Sequence, residues 1–362
     1  MEHTKILKRA WHILWQYRVL WLFGFILALT TASYGTPRTT YNVNSNDFNR
    51  DRSRYRLEEL DPELQKDLEE AIEGIAKLFT EGIPPDVGNT FIAIGIGLIL
   101  FILVLVILGK IFRYTSEAAL IRMVDEYEET EAKQSIGNGF RLGWSRITWR
   151  LFLIDLTIDL PLILVFLVLL ALALSPLWLW ISGKEALGAV GTVAAIGFFF
   201  LLILLGVVAG LILSLLKPFF RRACALDGTS VIASIRKGYF MVRRNLKDVG
   251  IMWLILLGIK IAWSVLMIPL GLLVFFLGVL LGGATAFAAG GVAGLYWEGL
   301  LPWIIAIAVG LPIFLAVVVL PIGFVNGLRE TFISSSWTLT YREVKSLPRL
   351  EIKELPDLGP PL

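Results

Sequence analysis

Three ionisable residues lie inside long apolar stretches, where a charge is costly and usually has a function. Asp155 and Asp159 are one helical turn apart and share a helix face, and Lys260 lies at comparable depth in a later stretch. This spacing predicts an ion pair between Asp159 and Lys260, with Asp155 nearer interfacial water. The cluster has two interpretations. In one, the pair locks two helices together; in the other, the carboxylates carry protons or bind a cation during transport.

The densest group of basic residues suits contact with anionic lipid. Eight of them fall within 31 residues: Lys217, Arg221, Arg222, Arg236, Lys237, Arg243, Arg244 and Lys247. Basic residues beside a negative leaflet contribute about 1 kcal/mol each to membrane attraction. The alternative is that these charges serve only to orient the chain during insertion. Since they border apolar stretches, we expect lipid and not nucleic acid as their counter-charge.

Residues suited to catalysis or to cofactor binding are scarce. The chain has two histidines and one cysteine, too few for a protein-built zinc, haem or iron–sulfur site. A phosphate-binding glycine motif of the Gly-x-x-x-x-Gly-Lys-Ser/Thr type does not occur in the sequence. We therefore expect no cofactor, no metal and no enzymatic activity.

The composition indicates a membrane protein. Of 362 residues, 56% are hydrophobic and 17% are charged, whereas soluble domains have about 45–50% apolar and about 25% charged residues. A span of the hydrocarbon layer takes about 20 apolar residues. Six stretches qualify: 18–34, 90–112, 150–181, 188–216, 249–281 and 302–326. The first is the weakest and has a signal peptide as its alternative interpretation. The Gly/Ala-rich stretch 282–294 is predicted to be a flexible exterior loop, with a re-entrant segment as the alternative.

The distribution of Lys and Arg predicts the topology. Residues 1–20, 110–150, 217–247 and the tail after 328 carry four, seven, eight and five of these side chains, or 24 of the 33. The connections on the opposite side carry eight. By the positive-inside rule, both termini are expected in the cytoplasm.

A short motif recurs before each odd-numbered span and predicts an interfacial helix there. An aliphatic residue, two further residues, a small residue and an aromatic recur as Leu7-Lys-Arg-Ala10-Trp11, Ile136-Gly-Asn-Gly139-Phe140 and Ile235-Arg-Lys-Gly238-Tyr239. The sequence thus predicts an all-α membrane protein of six transmembrane helices, arranged as three parallel two-helix repeats with cytoplasmic interfacial helices. The predicted units are residues 1–130, 131–228 and 229–345, followed by a Pro-rich cytoplasmic tail, 346–362.

This reiterated order of interfacial helix, span, loop, span and polar helix resembles a group of bacterial multi-pass membrane proteins. The group includes the membrane domain fused to glycerophosphodiester phosphodiesterases. Its catalytic domain has no counterpart here, where His3 and His12 are the histidines available. The resemblance implies a location in the bacterial cytoplasmic (inner) membrane and does not imply hydrolysis.

The predicted exterior segment, 35–88, contains one amphipathic helix. Asp61 and Pro62 provide a start signal, and Gly82 with Pro84-Pro85 ends the pattern. Between them, apolar residues recur at three- and four-residue spacings: Leu64, Leu68, Ile72, Ile75 and Phe79. The helix 62–81 has an acidic opposite face. Its apolar face is interpreted either as a cover for its own bundle or as a docking site for another membrane protein complex.

These features favour a non-enzymatic membrane protein that acts as an accessory or scaffolding subunit or organises lipid. A small-solute or ion transporter using Asp155, Asp159 and Lys260 is the alternative. A membrane-embedded enzyme is disfavoured, because convergent acids, nucleophiles or metal ligands are not evident in the sequence.

Overall fold

A computed structural model describes residues 2–35, 85–182, 185–297, 299 and 301–347. The chain divides into two units, one of residues 32–110 and one of residues 1–31 together with 111–362. In the first unit the described residues are helical. The second unit contains all of the side chains of the candidate site described below. The predicted docking residues Leu64, Leu68, Ile72, Ile75 and Phe79 lie outside the described residues.

The described residues form helices and their connections, with no strand among them. The helices in chain order are α1 (His3–Gln16), α2 (Val19–Gly35), α3 (Pro85–Thr130), α4 (Ile136–Gly143), α5 (Arg146–Leu174), α6 (Glu185–Asp227), α7 (Val231–Arg244), α8 (Leu246–Gly294) and α9 (Leu301–Ser346). A 3-10 helix at Ser175–Ser182 extends α5. The prediction of an all-α chain is confirmed.

Among the residues that the structure describes, five helices are long and apolar enough to cross a membrane: α3, α5, α6, α8 and α9. A sixth crossing is completed if α1 and α2, which are bent by 101° at Tyr17 and Arg18, count as one broken span. In the most apolar 18-residue segment of each of these five helices, between 0% and 17% of the residues are buried within the protein. Apolar surface on this scale needs lipid around it, as in a membrane protein.

The three short helices pack through small residues at the motif positions. Ala10 on α1, Gly139 on α4 and Gly238 on α7 are all buried. A Cβ at Gly238 would lie 2.6 Å from Phe220 Cδ1, and one at Gly139 would lie 2.6 Å from Phe23 Cζ. Because such distances are too short for a real Cβ, these helices approach their neighbours only where the motif supplies a small side chain.

The stretch 282–294 is helical and continues α8, so the prediction of a flexible loop is wrong. Small residues occur at every fourth position of α8 from Gly278 into this stretch, and they face α9: Gly278, Gly282, Ala286 and Gly290. A Cβ at Gly282 would lie 2.7 Å from Phe314 Cβ and 3.0 Å from the Gly310 carbonyl oxygen. Small residues at this spacing let two backbones pack closely in a membrane, which explains why a glycine-rich segment is a helix.

The end of the bundle that carries α1, α4 and α7 contains the main core of buried side chains. We call it the polar end, because the polar residues of α3, α6 and α9 also gather there. The Tyr17 hydroxyl donates to the Gln134 carbonyl oxygen (3.0 Å) and accepts from the Gln134 backbone N–H (2.6 Å). Burial raises the pKa of Tyr17 to about 12, so the hydroxyl keeps the proton that it donates. This contact holds the α1–α2 corner against the start of α4.

Candidate functional site: a basic cavity at the polar end

A buried ion network joins α3, α5 and α6. Arg221 Nη2 donates to both oxygens of Asp155, at 2.9 and 2.7 Å, and Arg221 Nη1 donates to Glu117 Oε1 at 2.6 Å. The Tyr114 hydroxyl donates to Asp155 Oδ2 at 2.8 Å. Asp155, predicted to lie near interfacial water, is buried. One arginine shared by two carboxylates fixes the relative positions of the three helices.

Asp159 forms its ion pair with Lys217, at 2.6 Å, and not with Lys260. Within the described ranges Lys260 forms no ion pair, so the predicted Asp159–Lys260 pair is wrong. The reason lies in the packing, since α5 packs against α6, the next long helix in the chain. The cation that pairs with Asp159 therefore comes from α6, the long helix that follows α5 in the chain. Pro161 lies inside α5 without ending the helix.

A cavity of about 450 Å³ opens beside this network and is lined by α2, α3, α6, α8 and α9. We call it the basic cavity. Its cationic lining residues are Arg113, Lys217, Arg221, Arg222 and Lys260. Its acidic lining residues are Glu117 and Glu330. Its volume is within the range of about 300–1,000 Å³ typical of small-molecule sites.

Apolar side chains complete the wall of the basic cavity, including Leu211, Trp253 and Leu257. The residues of α6 that line the cavity run from Gly210 to Arg222, a distance of about 18 Å along the helix axis. Four of the cations lie on α3 and α6, and the fifth, Lys260, lies on α8 beyond Leu257. The lining thus combines positive charge with an apolar surface.

Arg222 is a buried cation without a carboxylate partner in the described part of the chain. Its side chain is nearly inaccessible, at 4% relative exposure. Its nitrogens donate to neutral oxygens of the following residues: Pro218 O (3.0 Å), Ser334 O (2.9 Å), Ser334 Oγ (3.4 Å) and Thr338 Oγ1 (3.3 Å). Of its five N–H groups, at least one remains for another acceptor. A buried guanidinium with neutral partners has a strong need for a counter-ion.

Other polar atoms of the cavity lining also lack partners. Buried Arg221 Nε, Thr31 Oγ1 and Glu117 Oε2 have no hydrogen-bond partner in the regions that the structure describes. Lys260 is exposed at the cavity edge. The two carboxylates are already engaged, Glu117 by Arg221 and Glu330 by Arg329 at 2.8 Å. The lining has five cationic side chains against two acidic ones, so the cavity carries an excess of positive charge, although Glu117 Oε2 is an unpartnered acceptor.

The structure divides the eight predicted lipid contacts into two sets. Lys217, Arg221 and Arg222 line the basic cavity. The other five lie on α7 or at the start of α8: Arg236, Lys237, Arg243, Arg244 and Lys247. Lys237 pairs with Asp227 at 2.8 Å, and Arg236, Arg243 and Lys247 are exposed.

The sequence prediction missed the contributions of Thr31, Arg113, Glu117 and Glu330 to this site. The contribution of Glu117 could have been predicted from the sequence, because this acidic residue follows the apolar stretch of α3 by about one helical turn and lies among small residues. The convergence of the other three depends on helix rotation and packing, for which the sequence has no local signal.

The chemistry available in the basic cavity is recognition of an anion. Arginine and lysine donors that lie in a partly dry site match the oxygens of a phosphate or carboxylate. No group of three or more His, Cys, Asp or Glu side chains able to hold a metal ion occurs among the described residues.

Comparison with known proteins gives a family and no individual relative. No curated protein and no solved structure matches the chain significantly. One family model matches residues 10–335, a range that includes Lys217, Arg222 and Lys260. The chain therefore belongs to this family, the family of unknown function DUF7544.

Proposed function

We propose that this protein is a non-enzymatic integral membrane protein that organises lipid by holding an anionic phospholipid headgroup in the basic cavity. The observation that carries the proposal is Arg222, a buried guanidinium whose described partners are all neutral. A lipid phosphate supplies the missing negative charge near Arg222, and Lys260 is a second cation in the lining of the same cavity.

The apolar part of the cavity lining favours a lipid over a small soluble anion. Leu211 and Leu257 line the same cavity as Lys260, so a ligand that carries both charge and hydrocarbon matches the wall. The exposed basic residues of α7 add a second, less selective attraction to the same leaflet. Such a role needs no chemistry beyond binding.

The proposal includes the membrane placement predicted from the sequence. The polar end faces the cytoplasm, both termini are cytoplasmic, and the membrane is the bacterial inner membrane. The three two-helix units are repeats, each begun by an interfacial helix; the buried small residues Ala10, Gly139 and Gly238 support this arrangement. Exposed Trp11 and Trp15 on α1 suit the headgroup layer.

Cysteine labelling tests this placement. In a Cys224→Ala background, Arg50→Cys and Glu185→Cys are expected to label from outside the cell, and Lys133→Cys from the cytoplasmic side. Cys224 is buried, so its replacement by alanine removes the background thiol at little cost. Cytoplasmic labelling at positions 50 and 185 would contradict the topology.

The transport alternative predicted from the sequence needs carboxylates that are free to carry a proton or cation. Arg221 engages Asp155 and Lys217 engages Asp159, so neither carboxylate is available without breaking an ion pair. These pairings favour the binding proposal. An accessory role through the predicted helix 62–81 is compatible with lipid binding and remains a further proposal.

Native mass spectrometry with defined lipid tests the proposed function. Detergent-purified wild type is expected to retain phosphatidylglycerol in preference to phosphatidylcholine. Arg222→Gln and Lys260→Gln are each expected to weaken retention about tenfold to a hundredfold, because a hydrogen bond to a charged group contributes about 1.5–3 kcal/mol. Lys260 has no ion pair among the described residues, so its replacement leaves the fold intact.

The matched controls remove the same charges outside the cavity. Arg141 and Lys133 are exposed and do not line it, so Arg141→Gln and Lys133→Gln are expected to retain lipid as the wild type does. Equal loss in all four variants would show that retention follows total charge, and the assignment of a site would be wrong.

A further inference from the structure

We infer that the lipid enters the basic cavity sideways from the bilayer, between α6 and α8. The inference rests on the proposed function and adds the route of entry and the position of the hydrocarbon chains. We call this route the α6–α8 opening; its lining residues are Gly210, Leu211, Ser214, Leu257 and Lys260.

The α6–α8 opening differs from two other boundaries of the cavity. The α8–α9 boundary is closely packed, and Gly24 on α2 lies against the Gly327 backbone on α9. By contrast, α6 and α8 make few contacts with each other. Gly210, Leu211 and Ser214 are exposed along α6, and a Cβ added at Gly210 would meet nothing within 4 Å. A gap remains where a closely packed seam would have side chains.

The opening combines apolar and charged side chains. Leu211 and Leu257 line the opening together with Lys260, which is exposed. Lys260 is about 16 Å along α8 from Val249, where the apolar part of that helix begins. A lysine at that depth needs an anion or water, and a headgroup that passes through the opening supplies the anion.

A single polar contact marks the polar-end limit of the opening. Trp253 Nε1 on α8 donates to Ser214 Oγ on α6 at 2.9 Å. On the polar-end side of this contact, Phe219 of α6 and Met252 of α8 are buried in the main core. The Trp253–Ser214 hydrogen bond therefore lies between the closed part of the α6–α8 boundary and the open part, where it limits how far the helices separate.

The test blocks the opening without removing a charge. Gly210→Phe places a large side chain in the open space, while Gly197→Phe places the same side chain on α6 outside the cavity, where a Cβ also meets nothing within 4 Å. Each variant is loaded with phosphatidylglycerol and, separately, with inorganic phosphate. Lipid retention is measured by native mass spectrometry, and phosphate binding by calorimetry.

We expect Gly210→Phe to retain phosphatidylglycerol at least about tenfold less than wild type, which corresponds to about 1.4 kcal/mol. Its phosphate binding is expected to be unchanged, because inorganic phosphate has no hydrocarbon chain to pass through the α6–α8 opening and Gly210→Phe leaves Arg222 and Lys260 in place. Gly197→Phe is expected to match wild type with both probes. Trp253→Phe removes the hydrogen bond to Ser214 and is expected to exchange bound lipid faster.

Each contrary result has a distinct meaning. If Gly210→Phe retains lipid normally, the entry route is wrong while the cavity assignment stands. Loss of both lipid and phosphate in Gly210→Phe would also overturn the route, because the substitution would then act on the anion site itself. If wild type binds phosphate but no lipid, a soluble anion is the ligand and the inference fails. If wild type binds neither, the proposed function itself is wrong.

Discussion

The strongest structural prediction concerns the pair of Asp155 and Arg221. Asp155→Asn leaves Arg221 with Glu117 as its remaining carboxylate, and we expect a loss of about 3 kcal/mol in the free energy of unfolding. Arg221→Met leaves both carboxylates without their cation, so its cost is expected at about 5 kcal/mol. The side chains are 15% exposed for Arg221 and 9% for Asp155, so solvent screens the pair little.

A double-mutant cycle isolates the interaction. Combining Asp155→Asn with Arg221→Met removes both members, and the total cost is expected to fall short of the sum by about 2–3 kcal/mol. Unfolding by SDS in mixed micelles gives the four free energies, and Lys133→Met serves as an exposed control with an effect within about 0.5 kcal/mol. Costs that add within about 0.5 kcal/mol would refute the reasoning, because the two groups would then be independent.

Two further predictions follow from packing and exposure. Gly282→Leu is expected to destabilise the α8–α9 pair by about 1–3 kcal/mol through overpacking against Phe314, whereas Gly283→Leu, whose Cβ meets nothing within 4 Å, is expected to cost nothing; equal unfolding free energies for the two variants would contradict the packing. Asp159→Asn is expected to cost less than Asp155→Asn, because Asp159 pairs with Lys217 alone, whereas Asp155 is held by both Arg221 and Tyr114; a loss as large as that of Asp155→Asn would contradict this ranking.

The sequence predicts the helices well because their signals are local. Apolar length predicts the long helices, and the recurrent motif of a small residue and an aromatic predicts short helices near 4–17, 132–148 and 230–246. The observed α1 and α7 are close to the first and third of these ranges, whereas α4 covers only Ile136–Gly143. The stretch 282–294 was predicted wrongly, since glycine and alanine are common in loops. The four-residue spacing of Gly282, Ala286 and Gly290 was the signal for a closely packed helix.

The site is harder to predict because it depends on which helices are neighbours. Asp159 and Lys260 have the right depths for a pair, but α5 packs on α6, so Lys217 takes that place. Arg221 and Arg222 are adjacent in sequence and point about 100° apart on a helix. Arg221 therefore contacts carboxylates, whereas Arg222 contacts neutral oxygens. Two adjacent arginines in a sequence do not indicate this difference.

The most direct test of the central claim compares the stability of delipidated wild type and Arg222→Met with and without phosphatidylglycerol. Without lipid, the two proteins are expected to agree within about 1 kcal/mol, because the loss of hydrogen bonds is offset by removal of a buried charge. Lipid at about 100 times the wild-type Kd is expected to stabilise wild type by about 2.7 kcal/mol and Arg222→Met by about 0.4–1.4 kcal/mol, because the Kd of the variant is expected to be about tenfold to a hundredfold weaker. A variant that is much less stable without lipid, yet gains as much from lipid as wild type, would show that Arg222 is structural and would contradict the account.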